Sequence, residues 1–551
     1  MFRPKLFDTL KTYNRKQFSN DIMAGIIVGI VALPLAIAFA IASGVTPEKG
    51  LITAVVAGFI ISALGGSRVQ IGGPTGAFIV IVYGIVQVYG IDGLIVATFM
   101  AGIMLVIMGF ARVGVIIKFI PHPLIIGFTS GIALIIFSSQ VKDFLGLQMN
   151  AVPADFVEKW QAYFLHINST NVYAISIAMV SILIIILWPK ITEKVPGSLI
   201  AILVTTVIVQ AFHLPIETIG SRFGIISSSF PAPVVPHVDF ATLQHLVQPA
   251  FTIAMLCAIE SLLSAVVADG MISGNHRSNT ELIGQGVANI FSSIFGGIPA
   301  TGAIARTATN IKNGGRTPIA GIVHALTLLL ILLALGKWAS YIPIATLAGI
   351  LVIVAYNMSE WKNFRSILRG PKGDVAVLLI TFFLTVLIDL TVAIEIGMVL
   401  AIFLFMRNMI KFSDVNVLTK EIDDAEFGYD LVDGKYQLPK GIAVFEITGP
   451  LFFGAAYKFK DAMRYIEKHP PVLIIRMRHV PIIDVTGIQV LKEVHKESLK
   501  HGTKIILSEL HSEQVKKELQ NSRLLFAIGK GNVTDTFDRA LEKAEQIMND
   551  R

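Results

Sequence analysis

The sequence has little cysteine, little charge and no span that looks like a signal peptide, and each shortage bears on the reading. The lone Cys257 rules out disulfides within the chain and argues against a cysteine-based metal cluster. Set inside an apolar run, it reads as a packing residue. Charged residues are only 15% of the 551, against 54% hydrophobic, and the apolar runs are too long for a soluble core. The first 20 residues carry Arg3, Lys5, Lys11, Arg15 and Lys16 against Asp8, with no apolar stretch and no small-residue cleavage site. They are expected to form a cytoplasmic tail over 1–20. The formal net charge of +7 is modest, and Lys and Arg gather beside the apolar runs. That distribution fits loops at a membrane surface and argues against a nucleic-acid partner.

What is present is a succession of hydrophobic segments. About 20 apolar residues cross roughly 30 Å of hydrocarbon. Spans are expected near 21–44, 48–64, 91–111, 118–140, 171–189, 196–213, 247–269, 280–296, 317–336, 341–357, 373–390 and 391–410. Two shorter segments, 74–88 and 301–312, complete the set as half-length helices. The composition changes near 412, which predicts a membrane domain over 21–412 and a soluble domain over 413–551. In the latter, IAVFEIT (442–448), VLIIRM (472–477) and KIILSEL (504–510) read as strands alternating with helices, a small α/β domain.

The two half-length segments follow an echo. GGPTGAF (72–78) and GIPATGAI (297–304) share Thr-Gly-Ala, and LITAVVAGFIISALGG (51–66) aligns with LIGQGVANIFSSIFGG (282–297) through Leu51/Leu282, Ile52/Ile283, Val56/Val287, Ala57/Ala288, Ser62/Ser293, Gly65/Gly296 and Gly66/Gly297. Seven segments per half is an odd number, so the second half, about 247–410, enters the membrane in the opposite sense from the first, about 21–213. The chain is expected to be an inverted repeat. With the N-terminus inside, the inner loops collect Arg112 and Lys118, Lys190 and Lys194, His276 and Arg277, Lys312 and Arg316, and Lys362, Arg365, Arg369 and Lys372.

Half helices that meet at the bilayer midplane offer unpaired N–H groups and the positive ends of their dipoles, which suits an anion. Gly76 and Gly302 keep the backbone accessible, Thr75 and Thr301 can cap or donate, and Pro74 and Pro299 fit the non-helical approach. Small residues are expected there because a side chain would fill the site. Taken singly, Thr-Gly-Ala also suits helix packing. Arg306, about one turn into the second half helix, either adds a positive charge near the ligand or partners an acid or a carbonyl. Glu260 lies in FTIAMLCAIESLLSAVVADG, where a mid-span acid costs about 2.5–3.5 kcal/mol on insertion scales. A carboxylate beside an anion repels it unless protonated or bound to a cation, so Glu260 is a candidate for H⁺ or Na⁺ coupling, with a structural ion pair to Arg306 as the alternative. Ser264 lies one turn on, facing the same way. Asp389 and Glu395 read as interfacial.

These stretches resemble the SulP family of anion transporters, also called solute carrier family 26. ALPLAIAFAIASGVTPEKGL (32–51) is similar to its first-helix signature, GFTSGIALIIFSSQVKDFLG (127–146) to its fifth-helix pattern, and ELIGQGVANIFSSIFGGIPATGAIARTATNIKNGGRTPIAG (281–321) is the most specific match. The tail resembles the STAS domain. The resemblance implies fourteen segments, with a core of segments 1–4 and 8–11 moving against a gate of 5–7 and 12–14, usually as a homodimer in the plasma membrane with both termini cytoplasmic. It implies an anion site lined by Phe39, Thr75, Gly76, Ala77, Thr301, Gly302 and Ala303, with Glu260 and Ser264 at the cation-coupling position. Many members place Gln after the first-helix proline, where this chain has Leu35 after Pro34. Together, ALPLAIAFAIASG and GGRTP look closer to cyanobacterial-type bicarbonate transporters, which carry Asp at the coupling position. IIDVTG (482–487) resembles the STAS loop that carries a phosphorylated hydroxyl, which puts Thr486 at that position or, more simply, at a helix N-cap. The implied function is secondary transport of a small inorganic anion, sulfate or bicarbonate, with no catalysis and no cofactor beyond a coupling ion. Lipid surrounds the membrane part, and the tail is a place for a regulatory partner. An uncoupled exchanger or channel, a dicarboxylate carrier, a nucleobase carrier of similar architecture and a membrane-anchored regulator are the alternatives.

Overall fold

The computed structural model describes residues 2–115, 120–149, 152–153, 155–192, 195–225, 229, 232–237, 239–388, 390–412, 414–418, 441–464 and 470–550. Lys118, Lys194 and Asp389 lie outside the described residues. The chain divides into two compact units, Met1–Ala401 and Ile402–Arg551, and the division falls inside the last apolar helix, Leu390–Phe412.

Among the described residues, seven helical stretches are long and apolar enough to cross a membrane, and shorter apolar helices lie between them. The first half contains Arg15–Ala42, Pro47–Leu64, a helix Ile79–Phe110 broken at Gly90, His122–Leu145, Val172–Leu187 and Gly197–Ala211. The second contains Val247–Ile272, Ser278–Ile294, Ile304–Lys312, Pro318–Ala339, Ile344–Met358, Lys372–Leu387 and Leu390–Phe412. Gly90 has φ 69° and separates the predicted half helix from the full span after it without an intervening loop. With that break each half has seven segments, as the repeat requires.

Two bundles result. The helices of segments 1–4 and 8–11 pack mainly on one another, and so do His122–Leu145, Val172–Leu187, Gly197–Ala211, Ile344–Met358 and Lys372–Leu387. In the first bundle the Ser278–Ile294 helix lies against the 91–110 arm through Gly102 and Gly286. A Cβ on Gly102 would stand 2.7 Å from the Gly286 carbonyl and one on Gly286 2.6 Å from the Gly102 carbonyl. Small residues let these backbones touch, the usual way helices pack where lipid supplies no hydrophobic contrast.

The amino-terminal residues, expected as a tail over 1–20, are partly helical and packed onto the membrane unit. Residues Lys5–Thr9 are helical, the Lys5 N–H donates to the Gly65 carbonyl at 3.1 Å, and Arg277 pairs with Asp8 at 2.7 Å. The first long helix begins at Arg15, where Asn14 caps it by accepting from the Gln17 N–H at 2.9 Å. Six residues later Asp21 is fully buried. It accepts from Thr317 Oγ1 at 2.6 Å, the Arg316 N–H at 2.8 Å, Tyr13 Oη at 3.0 Å and Gln17 Nε2 at 3.0 Å. This carboxylate fixes the Gly-Gly-Arg-Thr-Pro turn to the first helix. Burial, and then the Asp21 charge, push the Tyr13 phenol up to about 12.

The first unit holds the short strands Gly72–Gly73 (β1) and Thr301–Gly302 (β2), and the second unit is a five-stranded sheet of Asp414–Leu418 (β3), Ile442–Thr448 (β4), Val472–His479 (β5), Lys504–Ser508 (β6) and Val533–Thr534 (β7), in that order. β3 is antiparallel to β4 and the other pairs are parallel. Ala443, Phe445 and Ile447 face a core shared with the Phe453–Arg464 and Val485–Lys500 helices, while Ile442 and Val444 face the closing helix Phe537–Asn549. Burial on both sides accounts for the nearly continuous apolar strands. Arg476, held to Glu509 at 2.7 Å and Glu446 at 3.7 Å, lies 4.3 Å from the centre of the Phe537 ring.

Glu281 does for the first bundle's interior what Asp21 does for its edge. It is fully buried, and accepts from the Gly66 N–H at 2.7 Å, the Ser67 N–H at 3.0 Å, Gln285 Nε2 at 2.8 Å and Ser261 Oγ at 3.1 Å. Glu281→Ala leaves those donors unpaired and is expected to lower stability by at least about 2 kcal/mol. Glu281→Gln, which keeps the shape and part of the acceptor capacity, is expected to lose less. The midpoint of thermal unfolding in detergent ranks the two.

Candidate functional site

The two Thr-Gly-Ala segments meet. Gly72–Gly73 (β1) pairs antiparallel with Thr301–Gly302 (β2), Gly72 opposite Gly302 and Gly73 opposite Thr301. Each short strand runs directly into its half helix, so the two helices leave opposite ends of one ladder. Around the ladder, polar side chains complete what the backbones lack. Asn289 accepts from the Ala300 N–H and donates to its carbonyl, both at 2.9 Å, while Thr53 Oγ1 accepts from the Ile298 N–H at 2.7 Å. On the other copy Thr307 Oγ1 accepts from the Ile71 N–H at 3.0 Å, and Asn310 donates to the Val69 carbonyl at 2.8 Å.

Neither half helix has a side-chain cap. Thr75 precedes the Gly76–Phe78 turn in an extended conformation, and Ala303 precedes Ile304 in the same way. First-turn N–H groups at both starts are therefore left for another acceptor. The Thr75 hydroxyl donates instead to Glu260 Oε2 at 2.9 Å, which joins the first half helix to the candidate coupling acid. Arg306 is buried, at 3% exposure, and its Nη2 donates to the Pro74 carbonyl while Nη1 has no partner. The carbonyl partner expected as an alternative is present, and one guanidinium nitrogen remains unengaged beside Gly73. No ion pair joins Arg306 to Glu260 within 4 Å.

Gly76 faces the second bundle. A Cβ there would stand 3.1 Å from Met358 Sδ and 3.4 Å from both Ile136 and the Phe39 ring. Phe39, Thr75, Gly76, Glu260 and Arg306 are thus brought to one locality, with Ala77 next to Gly76 in the same turn.

Thr301, Gly302, Ala303 and Ser264 have other work. The Thr301 hydroxyl donates to the Cys257 carbonyl at 3.0 Å, and the Ala303 N–H donates to the Ile71 carbonyl at 2.8 Å, so the hydroxyl and amide expected to face an anion are already engaged. Ser264 Oγ lies 3.4 Å from Thr307 Oγ1, one turn from Glu260 and not bonded to it. At Gly302 the expected reason for smallness is corrected. A Cβ there would overlap the Gln70 amide, whose Nε2 donates to Ser261 Oγ and to the Ser261 carbonyl, each at 3.1 Å. The glycine makes room for Gln70, not for a ligand. Cys257 packs as expected and also donates to the Ala300 carbonyl at 3.3 Å.

Gln70, Glu281 and His324 escaped the sequence reading. Gln70 immediately precedes the Ile-Gly-Gly-Pro motif, and Glu281 opens the most specific matched stretch; a polar residue at those places was the available signal. His324 is fully buried with both ring nitrogens unpartnered, beside Gly58. In the second unit Thr486 is not the N-cap. Asp484 is, accepting from the Gly487 N–H at 2.7 Å, and Thr486 lies half-buried in the first turn. For a cation, Glu260 and the Thr75 hydroxyl supply oxygen, and among the described residues no group of three or more His, Cys, Asp or Glu side chains is placed to hold a metal.

Comparison with known proteins agrees with this arrangement. The sulfate permease family profile matches residues 18–381 and the STAS domain profile matches 435–540. A putative sulfate transporter of Bacillus subtilis, YvdB, is 42% identical, covering 96% of this chain and 98% of its own. The bicarbonate transporter BicA of Picosynechococcus is 31% identical, covering 96% of each. The solved transmembrane domain of a cyanobacterial BicA superposes with a TM-score of 0.63 at 30% identity, over 71% of this chain and 98% of its own. The murine anion transporter Slc26a9 in its inward-facing state gives 0.88 over 98% of this chain and 94% of its own; at 19% identity it shows the fold alone.

Because Gln70 occupies the space a Gly302 side chain would need, Gly302→Ala is expected to lower the thermal midpoint of the purified protein by several degrees, roughly 1–3 kcal/mol of overpacking. Adding Gln70→Ala to it is expected to return part of the loss. An additive further drop in the double variant, read by the same melting experiment, would separate the two residues.

Proposed function

The chain belongs to the sulfate permease family of sulfate and bicarbonate transporters, and on that premise we propose that its membrane unit is a secondary active carrier of a small inorganic oxyanion. Sulfate is the first candidate and bicarbonate the second. The anion accepts from the uncapped N–H groups of the two half helices, with the free Arg306 nitrogen adding charge. The observation that carries this reading is the Thr75 to Glu260 hydrogen bond, because it joins a residue of the anion locality to a buried-span carboxylate.

That contact supplies a coupling mechanism. A negative Glu260 and a negative substrate repel in a medium of low dielectric, and the repulsion disappears when the carboxylate takes a proton. Proton and anion then bind better together than either does alone, which is the requirement for symport. The Thr75 hydroxyl can follow the change, donating to the carboxylate or accepting from the carboxylic acid. Na⁺ is the second reading, favoured by the two kinds of oxygen that Glu260 and Thr75 bring together. Transport itself follows from movement of the first bundle against the second, whose Ile136 and Met358 meet it at Gly76.

Proteoliposomes loaded at neutral pH and diluted into acidic buffer with radiolabelled sulfate are expected to accumulate it above equilibrium, and in sulfate exchange with both sides at one alkaline pH bicarbonate is expected to compete more strongly than succinate. Accumulation driven only by an inward Na⁺ gradient would replace the proton in this scheme. Glu260→Gln is expected to abolish accumulation under a gradient while preserving sulfate/sulfate exchange, measured as counterflow. Undiminished concentrative uptake by that variant would remove Glu260 from coupling.

A further inference from the structure

A cleft of about 910 Å³ opens in the membrane unit at the end that carries the 146–171 and 214–246 connections. One wall comes from the first bundle, including Ile41, Tyr83 and Gln248, and the other from the second, including Ser139 and Lys159. Its inner lining reaches Ile79, one turn from Gly76, so the cleft leads to the anion locality. Five charged residues line it: Lys142, Lys159, Arg222, Asp143 and Asp155.

Four of the five are engaged. Lys142 Nζ donates to the Met149 carbonyl at 2.8 Å. Arg222 pairs with Asp143 at 2.7 Å and with Glu217, and these contacts hold its guanidinium above its ordinary range despite burial. Asp155 caps the Phe156–Leu165 helix through the Val157 N–H at 2.8 Å and the Glu158 N–H at 3.0 Å. The Lys159 ammonium alone has neither a hydrogen bond nor an ion pair within 4 Å among the described residues, although the residue is only 3% exposed.

Its position on the helix is the unusual feature. Lys159 and Tyr163, four residues apart, are the buried positions of this short amphipathic helix, where a lysine ordinarily belongs on the wet side. Burial lowers the ammonium from its usual range, and Asp155 opposes that only from a distance. The residue is buried while its ammonium, without a protein partner, is left to the cleft that it lines, which suits a visiting anion. We propose that Lys159 forms an outer binding station for the transported oxyanion, taking it up at the cleft mouth before it reaches the half helices. The proposal rests on the carrier reading for the direction of entry, and not for the binding itself.

Cys257 is buried and does not line the cleft, whereas position 159 does, so a thiol introduced by Lys159→Cys is the one that a reagent entering the cleft meets. In proteoliposomes the variant is expected to raise the KM for sulfate uptake about fivefold with Vmax little changed. Aminoethylation of the thiol by a methanethiosulfonate, which restores an ammonium, is expected to return KM toward the wild-type value, and a sulfonate-bearing reagent is expected to raise it further. A merely structural lysine would not respond to the sign of the reagent, and equal effects of the two reagents would overturn the proposal. In parallel, sulfate is expected to slow modification of the thiol in the detergent-solubilised full chain, where chloride at equal ionic strength does not. Protection without any uptake by the wild type would uphold the station and remove the carrier reading. Uptake by the wild type without protection would do the reverse.

Discussion

Inside a membrane a broken helix has no water to satisfy its exposed backbone, so every interruption must be repaired by protein. The short ladder between Gly72–Gly73 and Thr301–Gly302 is that repair, and the remainder of the first bundle is arranged to permit it. Asn289, Thr53, Thr307 and Asn310 complete the polar groups flanking the strands, Asn289 within its own copy and the other three across to the opposite one. Gln70 locks the ladder to the Glu260 helix through Ser261, and Glu281 closes the same network from beneath. With so much satisfied, the groups left open at the two helix starts stand out as a place for something that is not protein.

The buried carboxylates make the same contrast. Asp21 and Glu281 each accept four or more hydrogen bonds from fixed donors and behave as structural anchors. Glu260 has one side-chain donor, the Thr75 hydroxyl, and retains some exposure. A fully saturated carboxylate has nothing to gain from a change in its charge. One held by a single reversible hydroxyl has, and that physical difference is what sets Glu260 apart from Asp21 and Glu281.

Much of this was legible in the residues. Hydrophobic length and the repeated Thr-Gly-Ala located the fourteen segments found among the described residues, since both signals are local and the Gly90 break falls where the count demanded one. Glu260 was visible because an acid within an apolar run is conspicuous without any partner being known. What could not be read was direction within the motif. Gly302 and Gly76 share a triplet, yet one is small to admit Gln70 and the other to approach Phe39, Ile136 and Met358. Those neighbours come from distant parts of the chain. The same is true of Thr301, whose hydroxyl reaches Cys257, and of the amino-terminal residues, whose order depends on Gly65 and Arg277. The cap at Asp484 in place of Thr486 shows the other limit, a shift of two residues that spacing alone does not resolve.

The two strands of the ladder are separated by about 230 residues of chain. At roughly 5–20 residues per second of synthesis, the first strand waits on the order of 10–50 seconds before its partner exists. During that interval the first half helix has no ladder to complete its backbone, so the nascent amino-terminal half cannot reach its final form by itself. The candidate anion locality therefore cannot form until synthesis has passed the second repeat of the motif, and a ribosome that stalls between the repeats leaves behind an inserted but unfinished half.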